Sequence, residues 1–153
     1  MKQTYTIKAA ALADMPQLIS MILQMYEEET DVEPMTPEKA AALTQHLLTN
    51  PDHGKMHLIY ENAASSAAGY FIVTICYNVE HAGIIANLED LFILPEYRGR
   101  GLGQTCLEYV EKEYAHAVAL KLEVSPSNHG AQKLYRKNGY LPMTGSIHML
   151  KTL

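Results

Sequence analysis

The sequence predicts a mixed α/β (α+β) fold, with residues 1–153 forming one domain. We expect a mixed central sheet of about six to seven strands, flanked by about four helices on both faces. Three observations support this fold: short β-rich runs bounded by turn residues, longer segments with an apolar helical face, and a glycine-rich turn between a buried strand and a helix. The predicted element order is β-α-α-β-β-β-α-β-α-β-β.

The first half of the chain is predicted as a strand, two helices and a β-hairpin, over residues 4–9, 14–28, 36–49, 55–61 and 69–77. Asp14 is a candidate N-cap of the first helix, with Pro16 in the first turn. Thr36 followed by Pro37 is a second helix start, because proline is favoured at the first helical position.

The second half is predicted as a central strand, then alternating helices and strands, over residues 84–94, 102–115, 118–124, 127–138, 140–143 and 146–151. The strand–helix–strand unit within 84–124 should be parallel and right-handed. Gly139 suits the position after a helix C-terminus, where a left-handed conformation is common.

Composition narrows the class of protein. The chain has 48% hydrophobic and 19% charged residues, which is ordinary for a globular domain, and its net charge of −5 argues against nucleic acid as a partner. Cys76 and Cys106 fit neither a disulfide framework nor a zinc site. The seven histidines form no metal pattern, so we expect no metal. Without a signal peptide or a membrane-length apolar run, we expect a cytoplasmic protein with no membrane partner.

A glycine-rich loop follows the central strand. Pro95 should end that strand, and the sequence RGRGLG at positions 98–103 then places three glycines at alternate positions. Glycine permits backbone N–H groups to turn inward together, and the next helix adds the positive end of its dipole. Arg98 and Arg100 add cationic side chains, so the loop suits a phosphate or pyrophosphate.

Other glycine motifs fit less well. A dinucleotide-binding fingerprint starting at Gly101 would need a third glycine where Cys106 stands, and residues 95–97 separate the strand from the loop. A Walker P-loop needs Gly-Lys-Ser/Thr, which the chain lacks. A plain strand–helix turn is the remaining alternative; the two arginines and a second motif downstream favour ligand binding over it.

The two motifs together resemble the GNAT superfamily of acetyl-CoA-dependent N-acetyltransferases. The first is Arg98-x-x-Gly101-x-Gly103, and the second is Asn128, Ala131, Leu134-Tyr135, Lys137 and Gly139-Tyr140. The resemblance implies that the central strand and the next strand splay apart to admit acetyl-CoA. It also implies that the cofactor is held by Leu91, Phe92, Ile93, Arg98, Gly99, Arg100, Gly101, Leu102, Gly103, Gln104, Asn128, Ala131 and Tyr135.

Tyr135 is the candidate general acid. It lies seven residues after Asn128 on a predicted helix, so the two side chains share a face, and Ala131 between them leaves room for a ligand. In the family that the two motifs resemble, the tyrosine that matches Tyr135 faces the thioester sulfur. The alternative is a core tyrosine that packs against Leu134.

Glu89 is the candidate general base, because a carboxylate within an apolar strand is costly unless it is paired, solvated or used. Strict alternation would put Glu89 on the face of Leu91 and Ile93 and Asp90 on the opposite face, so that only one of the two lines a given cleft. The stretch resembles spermidine/spermine acetyltransferases, in which a Glu-Asp pair precedes the cofactor strand. The alternative is that both carboxylates are structural hydrogen-bond acceptors.

We therefore expect transfer of an acetyl group to a primary amine of a small or polyamine-like acceptor, by direct attack in a ternary complex. The acidic segment at residues 27–33 is either a wall of the acceptor site or a solvated loop. Two other functions stay open: a catalytically silent acyl-CoA-binding sensor, and an acetyltransferase of protein or peptide amines. A homodimer is possible, although no sequence signal identifies its interface.

Overall fold

The computed structural model describes residues 5–30, 32–62 and 64–153. Thr4, predicted to begin the first strand, lies outside these ranges, as do Asp31 and Ala63. In chain order the elements are β1 (Tyr5–Ala9), α1 (Met15–Glu28), α2 (Pro37–Thr49), β2 (Gly54–Glu61), β3 (Gly69–Asn78), β4 (Gly83–Ile93), α3 (Leu102–Glu113), β5 (Ala119–Leu122) and α4 (His129–Lys137).

The described strands form one mixed sheet in the order β1-β2-β3-β4-β5. Strands β1, β2, β3 and β4 pair with one another in antiparallel fashion, and β5 lies parallel to β4 as predicted. Apolar residues of α1 and α2 pack on one face of the sheet, against Met56, Leu58, Tyr70 and Ile72. Residues of α3 and α4 pack on the other face, against Phe71, Val73, Ala86 and Leu88. The prediction of helices on both faces is confirmed.

The predicted start of α2 at Thr36 and the predicted glycine after α4 are confirmed, whereas the predicted side-chain cap of α1 is wrong. The hydroxyl of Thr36 accepts a hydrogen bond from the Lys39 N–H at 3.2 Å, so Thr36 caps α2. Asp14 instead accepts from the backbone N–H of Ala11 at 2.8 Å and does not cap α1 with its side chain. Gly139, after α4, has φ +86°.

The predicted count of six to seven strands is wrong, because the described chain forms five. Residues 140–143 and 146–151, predicted as two closing strands, form no strand. Tyr140 still packs against Tyr135, with ring centroids 6.0 Å apart. Beyond it the chain has the composition of strands but no neighbour to supply the ladder hydrogen bonds that a strand requires.

Two irregularities in β4 shape the site. The register with β3 shifts between Ile72, which faces Asp90, and Val73, which faces Leu88, so Glu89 is an extra residue in a β-bulge. Pairing with β5 ends where Leu88 meets Leu122, and residues 89–93 pair with no described strand on that side. The expected parting of the two parallel strands is therefore confirmed.

Candidate active site

A cleft of about 640 Å³ opens where β4 and β5 part. Helices α1 and α2 form one wall, and the start of α4 forms another. Of the sequence-predicted residues, the cleft brings together Glu89, Leu91, Asn128 and Tyr135. The other side chains that matter chemically are Tyr26, Glu29, Asp90 and Glu123.

Glu89 reaches this cleft because of the bulge. Its carboxylate accepts a short hydrogen bond from the hydroxyl of Thr74. Thr74 follows Tyr70 and Ile72 on the α1–α2 face of β3, so Glu89 lies on that same face. The expectation that Glu89 and Asp90 point to opposite faces is wrong, since the extra residue breaks strand alternation and both side chains line the cleft.

Asp90 is the residue whose importance the sequence did not indicate. Its carboxylate accepts a hydrogen bond from the Tyr70 hydroxyl at 3.0 Å. Burial raises the pKa of Asp90 to about 6, the hydrogen bond from Tyr70 opposes this, and the nearby charges of Glu89 and Glu29 raise it further. Asp90 can therefore gain or lose a proton close to neutral pH.

Tyr135 projects from α4 into the same cleft. Burial raises its pKa to about 12, with smaller contributions from neighbours that include Tyr140, so its hydroxyl stays protonated at neutral pH. Asn128 caps α4 by accepting a hydrogen bond from the Ala131 N–H at 3.1 Å. Its carbonyl oxygen is thus used by the helix. Ala131 does not line the cleft.

The glycine loop lies at the end of β4, beyond the 3₁₀ turn Pro95–Tyr97. Within the described chain, the backbone N–H groups from Gly99 to Gln104 donate to no protein group. Gly99 has φ +74° and Gly101 has φ +86°, and a Cβ at either would meet no atom within 4 Å. The left-handed backbone explains why both are glycine, and the open space beside them leaves the amides accessible.

The first turn of α3 is fixed by packing. Leu102 is buried in the core, and its N–H donates to no described protein group. A Cβ on Gly103 would lie 2.9 Å from the side chain of Leu134, so this glycine permits the contact between α3 and α4. The Gln104 and Asn138 side chains exchange two hydrogen bonds, each of 2.8 Å, which tie the same helices together.

Both loop arginines contact their own chain. Arg98 donates to Glu28 at 2.6 Å and to the Ile93 carbonyl at 2.8 Å. Arg100 donates to the Glu96 carbonyl at 2.7 Å and lies 3.4 Å from Glu61. These contacts join the loop to α1 and β2. A role for either guanidinium in phosphate binding stays a prediction.

The backbone of Leu91, Phe92 and Ile93 connects the cleft to the loop. Phe92 is buried on the α1–α2 side, and its ring lies 5.5 Å from the Arg98 guanidinium carbon. The edge of this segment that faces β5 carries no strand, although the Ile93 carbonyl is taken by Arg98. Binding of an extended ligand along this edge stays a prediction.

The acidic segment at residues 27–33 divides into residues with different surroundings. Glu28 pairs with Arg98, whereas Glu29 and Val32 line the cleft. Glu29 is close enough to raise the pKa of both Asp90 and Tyr135. Asp31 lies outside the described residues.

The described ranges lack two further features. They contain no group of three or more histidine, cysteine, aspartate or glutamate side chains placed to hold a metal ion. None of their helices has the length and apolar character needed to cross a membrane.

The site combines parted parallel strands, a bulge that carries a carboxylate and a loop whose backbone N–H groups are free. The chain belongs to the acetyltransferase (GNAT) family, whose sequence model matches residues 18–140. It is 42% identical over 59 residues to a Bacillus subtilis (strain 168) protein named "Putative ribosomal protein bS18-alanine N-acetyltransferase". That match covers 37% of this chain and 39% of the relative, which is less than half of either.

Two solved structures share the fold over nearly the whole chain. A "possible acetyltransferase" from Clostridium difficile 630 is 14% identical with a TM-score of 0.83, covering 97% of this chain and 98% of that one. Aminoglycoside N-acetyltransferase AAC(6')-Iy, solved in complex with CoA, is 17% identical with a TM-score of 0.81, covering 100% and 98%. At these identities the likeness concerns the fold alone.

Proposed function

We propose that residues 1–153 act as one acetyl-CoA-dependent N-acetyltransferase domain. The acceptor is a primary amine of a small, cationic or polyamine-like molecule, which attacks the thioester directly in a ternary complex. One observation carries this proposal: a single cleft holds a buried, protonated phenol together with the carboxylates of Glu29, Glu89 and Asp90. It provides a proton donor, proton acceptors and negative charge around one reaction space.

The loop and the strand that leads to it fit the donor. The free N–H groups from Gly99 to Gln104 suit a diphosphate, because they present fixed positive dipoles at a helix start. The open edge of Leu91–Ile93 suits the extended arm of CoA. When bound, acetyl-CoA supplies the activated acetyl group, and these contacts aim it toward the cleft.

The side chains of the cleft manage two protons. Glu89 accepts a proton from the acceptor ammonium, directly or through water, so that the amine can act as a nucleophile. Asp90, beside it, keeps the local charge negative and favours binding of the ammonium. Tyr135 donates its hydroxyl proton to the departing sulfur, because its raised pKa keeps that proton available.

The acceptor class follows from charge. A cleft that carries Glu29, Glu89, Asp90 and Glu123 attracts a multiply charged amine and disfavours an anion. Structural neighbours include aminoglycoside acetyltransferases, one of them solved with sisomicin. Peptide N-terminal alanine is a second candidate, favoured by the 42% identity over 59 residues to the Bacillus subtilis protein.

The free thiols of Cys76 and Cys106 suit the reducing cytoplasm, where we propose that the protein acts.

Thiol release from acetyl-CoA tests the proposal. The purified protein is mixed with spermidine, an aminoglycoside, or a peptide with N-terminal alanine, and release is compared with that of Tyr135→Phe. We expect the fastest release with a small polycation and a strong loss in the variant. Fast release with the peptide alone would favour the second candidate. Acetyl-CoA binding without release for any amine would identify a sensor instead.

A further inference from the structure

One guanidinium joins the glycine loop to the wall of the cleft. Arg98, the first residue of the loop, lies 2.6 Å through its Nη2 from the carboxylate of Glu28. Its Nε donates to the Ile93 carbonyl at 2.8 Å, and its guanidinium carbon lies 5.5 Å from the centre of the Phe92 ring. Arg98 therefore contacts the end of β4 and the end of α1 at the same time.

Helix α1 needs a cation at its C-terminal end. Its last two residues are Glu27 and Glu28, Glu29 follows as the C-cap, and its last turn contains no basic residue. Carboxylates at a helix C-terminus meet the negative end of the helix dipole, which is unfavourable. Arg98 supplies the positive charge that the helix itself lacks, so this ion pair holds the end of α1 against the loop.

That end of α1 is part of the candidate active site. Met25, Tyr26 and Glu29 line the cleft. The charge of Glu29 reaches Asp90 and Tyr135, since it raises the pKa of both. A shift of the α1 end would therefore change both the space and the charge that the acceptor meets.

We propose that Glu28 is a positioning residue, which holds this wall of the cleft against the glycine loop through Arg98 and so couples the donor and acceptor sites. The inference rests on the proposed function, because it takes the diphosphate of the donor as the group that binds the loop. The free N–H groups from Gly99 to Gln104 meet that diphosphate and the loop becomes more rigid. Arg98, fixed by the Ile93 carbonyl, passes this restraint on to α1.

The coupling has a defined sign and size. A donor that restrains the loop also restrains the end of α1, and a site that is already ordered costs the acceptor less to bind. Each ligand should therefore strengthen binding of the other by the same factor. The side chains of Arg98 and Glu28 are 45% and 39% exposed, and exposed ion pairs contribute modestly. We expect a factor of about two to five.

A second ion pair of the same loop provides the matched control. The Arg100 Nη1 lies 3.4 Å from the carboxylate of Glu61. Glu61 ends β2 and does not line the cleft. Glu61→Gln and Glu28→Gln each remove a carboxylate from a loop arginine, but only Glu28→Gln removes it from the end of α1.

Hydrogen exchange with CoA alone tests the inference without any acceptor. In the wild type and in Glu61→Gln, we expect CoA to slow amide exchange in the loop, residues 99–104, and about two- to fivefold at the α1 end, residues 25–29. In Glu28→Gln the loop should still be protected and the α1 end should not. Protection of the loop alone in the wild type, or the same α1 response in both variants, would overturn the inference. Protection of neither segment would contradict the proposed function and the inference with it.

Calorimetry and kinetics measure the consequence for the acceptor. CoA should tighten spermidine binding about two- to fivefold in the wild type and in Glu61→Gln, and not in Glu28→Gln. At saturating acetyl-CoA, Glu28→Gln should raise KM for spermidine and leave kcat unchanged, because Glu28 does not line the cleft. An equal effect of CoA on spermidine binding in Glu28→Gln and wild type would contradict the coupling.

Discussion

Tyr135 combines two properties that a general acid needs: access to the reaction space and a retained proton. We predict that Tyr135→Phe lowers turnover roughly ten- to a thousand-fold, because the sulfur then leaves without protonation. The affinity for acetyl-CoA should change little, since the ring stays in place. Steady-state kinetics and calorimetry measure the two effects separately.

The neighbouring ring offers a control for that substitution. Tyr140 packs against Tyr135 but does not line the cleft. Tyr140→Phe should therefore leave turnover nearly unchanged. Equal losses in the two variants would indicate that Tyr135 acts through packing and not as an acid.

Asp90 predicts a pH dependence of catalysis. Its negative charge favours binding of the ammonium acceptor, so kcat/KM should rise with pH through an apparent pKa near 6, the pKa to which burial raises this carboxyl. Asp90→Asn removes the titrating carboxyl, so the rise near pH 6 should disappear. Glu89→Gln should lower kcat across the range. The measurement is a pH–rate profile for each variant.

The two variants test separate roles. If kcat/KM of Asp90→Asn still rises with pH at the same midpoint, ionisation of Asp90 is not the cause of the pH dependence. Full turnover in Glu89→Gln would remove Glu89 as the base and leave its hydrogen bond with Thr74 as a structural feature.

At the scale of an element, the glycine loop should bind the donor through its backbone. Gly101 has φ +86° and borders free amides, so we predict that Gly101→Ala weakens acetyl-CoA binding roughly tenfold or more in calorimetry. Alanine both strains the left-handed backbone, by about 1–2 kcal/mol, and places a methyl group where the ligand approaches.

Gly139 provides a matched control for backbone strain. It has the same φ of +86° and equally open space, but it follows α4 outside the loop. Gly139→Ala should destabilise the fold to a similar degree and leave acetyl-CoA affinity intact. Similar affinity losses in both variants would show that strain, rather than lost contacts, explains the effect.

The glycine loop could be predicted because short-range chemistry sets it, whereas the parting of β4 from β5 was expected only from the family resemblance. Pro95 ends a ladder wherever it occurs, and alternate glycines allow a left-handed backbone. The bulge at Glu89 could not be predicted in the same way. It depends on how β3 pairs across from it, and that register is invisible in one strand's sequence. The single extra residue brings Asp90 and Glu89 to one face.

The two strands predicted near the C-terminus also could not be settled from local sequence. Residues 140–143 and 146–151 have strand composition, yet a strand exists only where a neighbour completes it. Local pattern therefore predicted the propensity and not the partner. In the described chain no strand pairs with the outer edge of β5, so the strand count is five although the composition of these residues favours strands.

At the scale of the whole molecule, β4 is shared by two separate cores. Phe92 belongs to the core under α1 and α2, whereas Ala86 and Leu88 belong to the core under α3 and α4. The cleft lies beside β4, at the point where β4 and β5 separate. Substitutions in either core can therefore shift the site without touching it, and global stability should be measured beside activity.

His57 links global stability to pH. It lies on β2 with 1% of its surface exposed, stacked on Phe71 at 4.6 Å and edge-on to Tyr109. Its Nδ1 has no hydrogen-bond partner among the described residues. Burial, and to a smaller extent Lys55, lowers the pKa of His57 from 6.5 to about 4. The folded protein therefore keeps this ring neutral while the unfolded chain would protonate it.

Between pH 6.5 and pH 4 the unfolded state binds more protons at His57 than the folded state, so the free energy of unfolding falls as pH falls. The loss should be on the order of 2–3 kcal/mol. Asp90 acts in the opposite sense, because its raised pKa favours the folded state as pH falls. The effect of His57 is therefore measured as the free energy of unfolding of a variant minus that of wild type, obtained from urea titrations at each pH. This difference should grow in favour of His57→Phe as pH drops. The control variant His129→Gln, at an exposed histidine, should show no such gain. Parallel curves for His57→Phe and wild type would contradict this assignment.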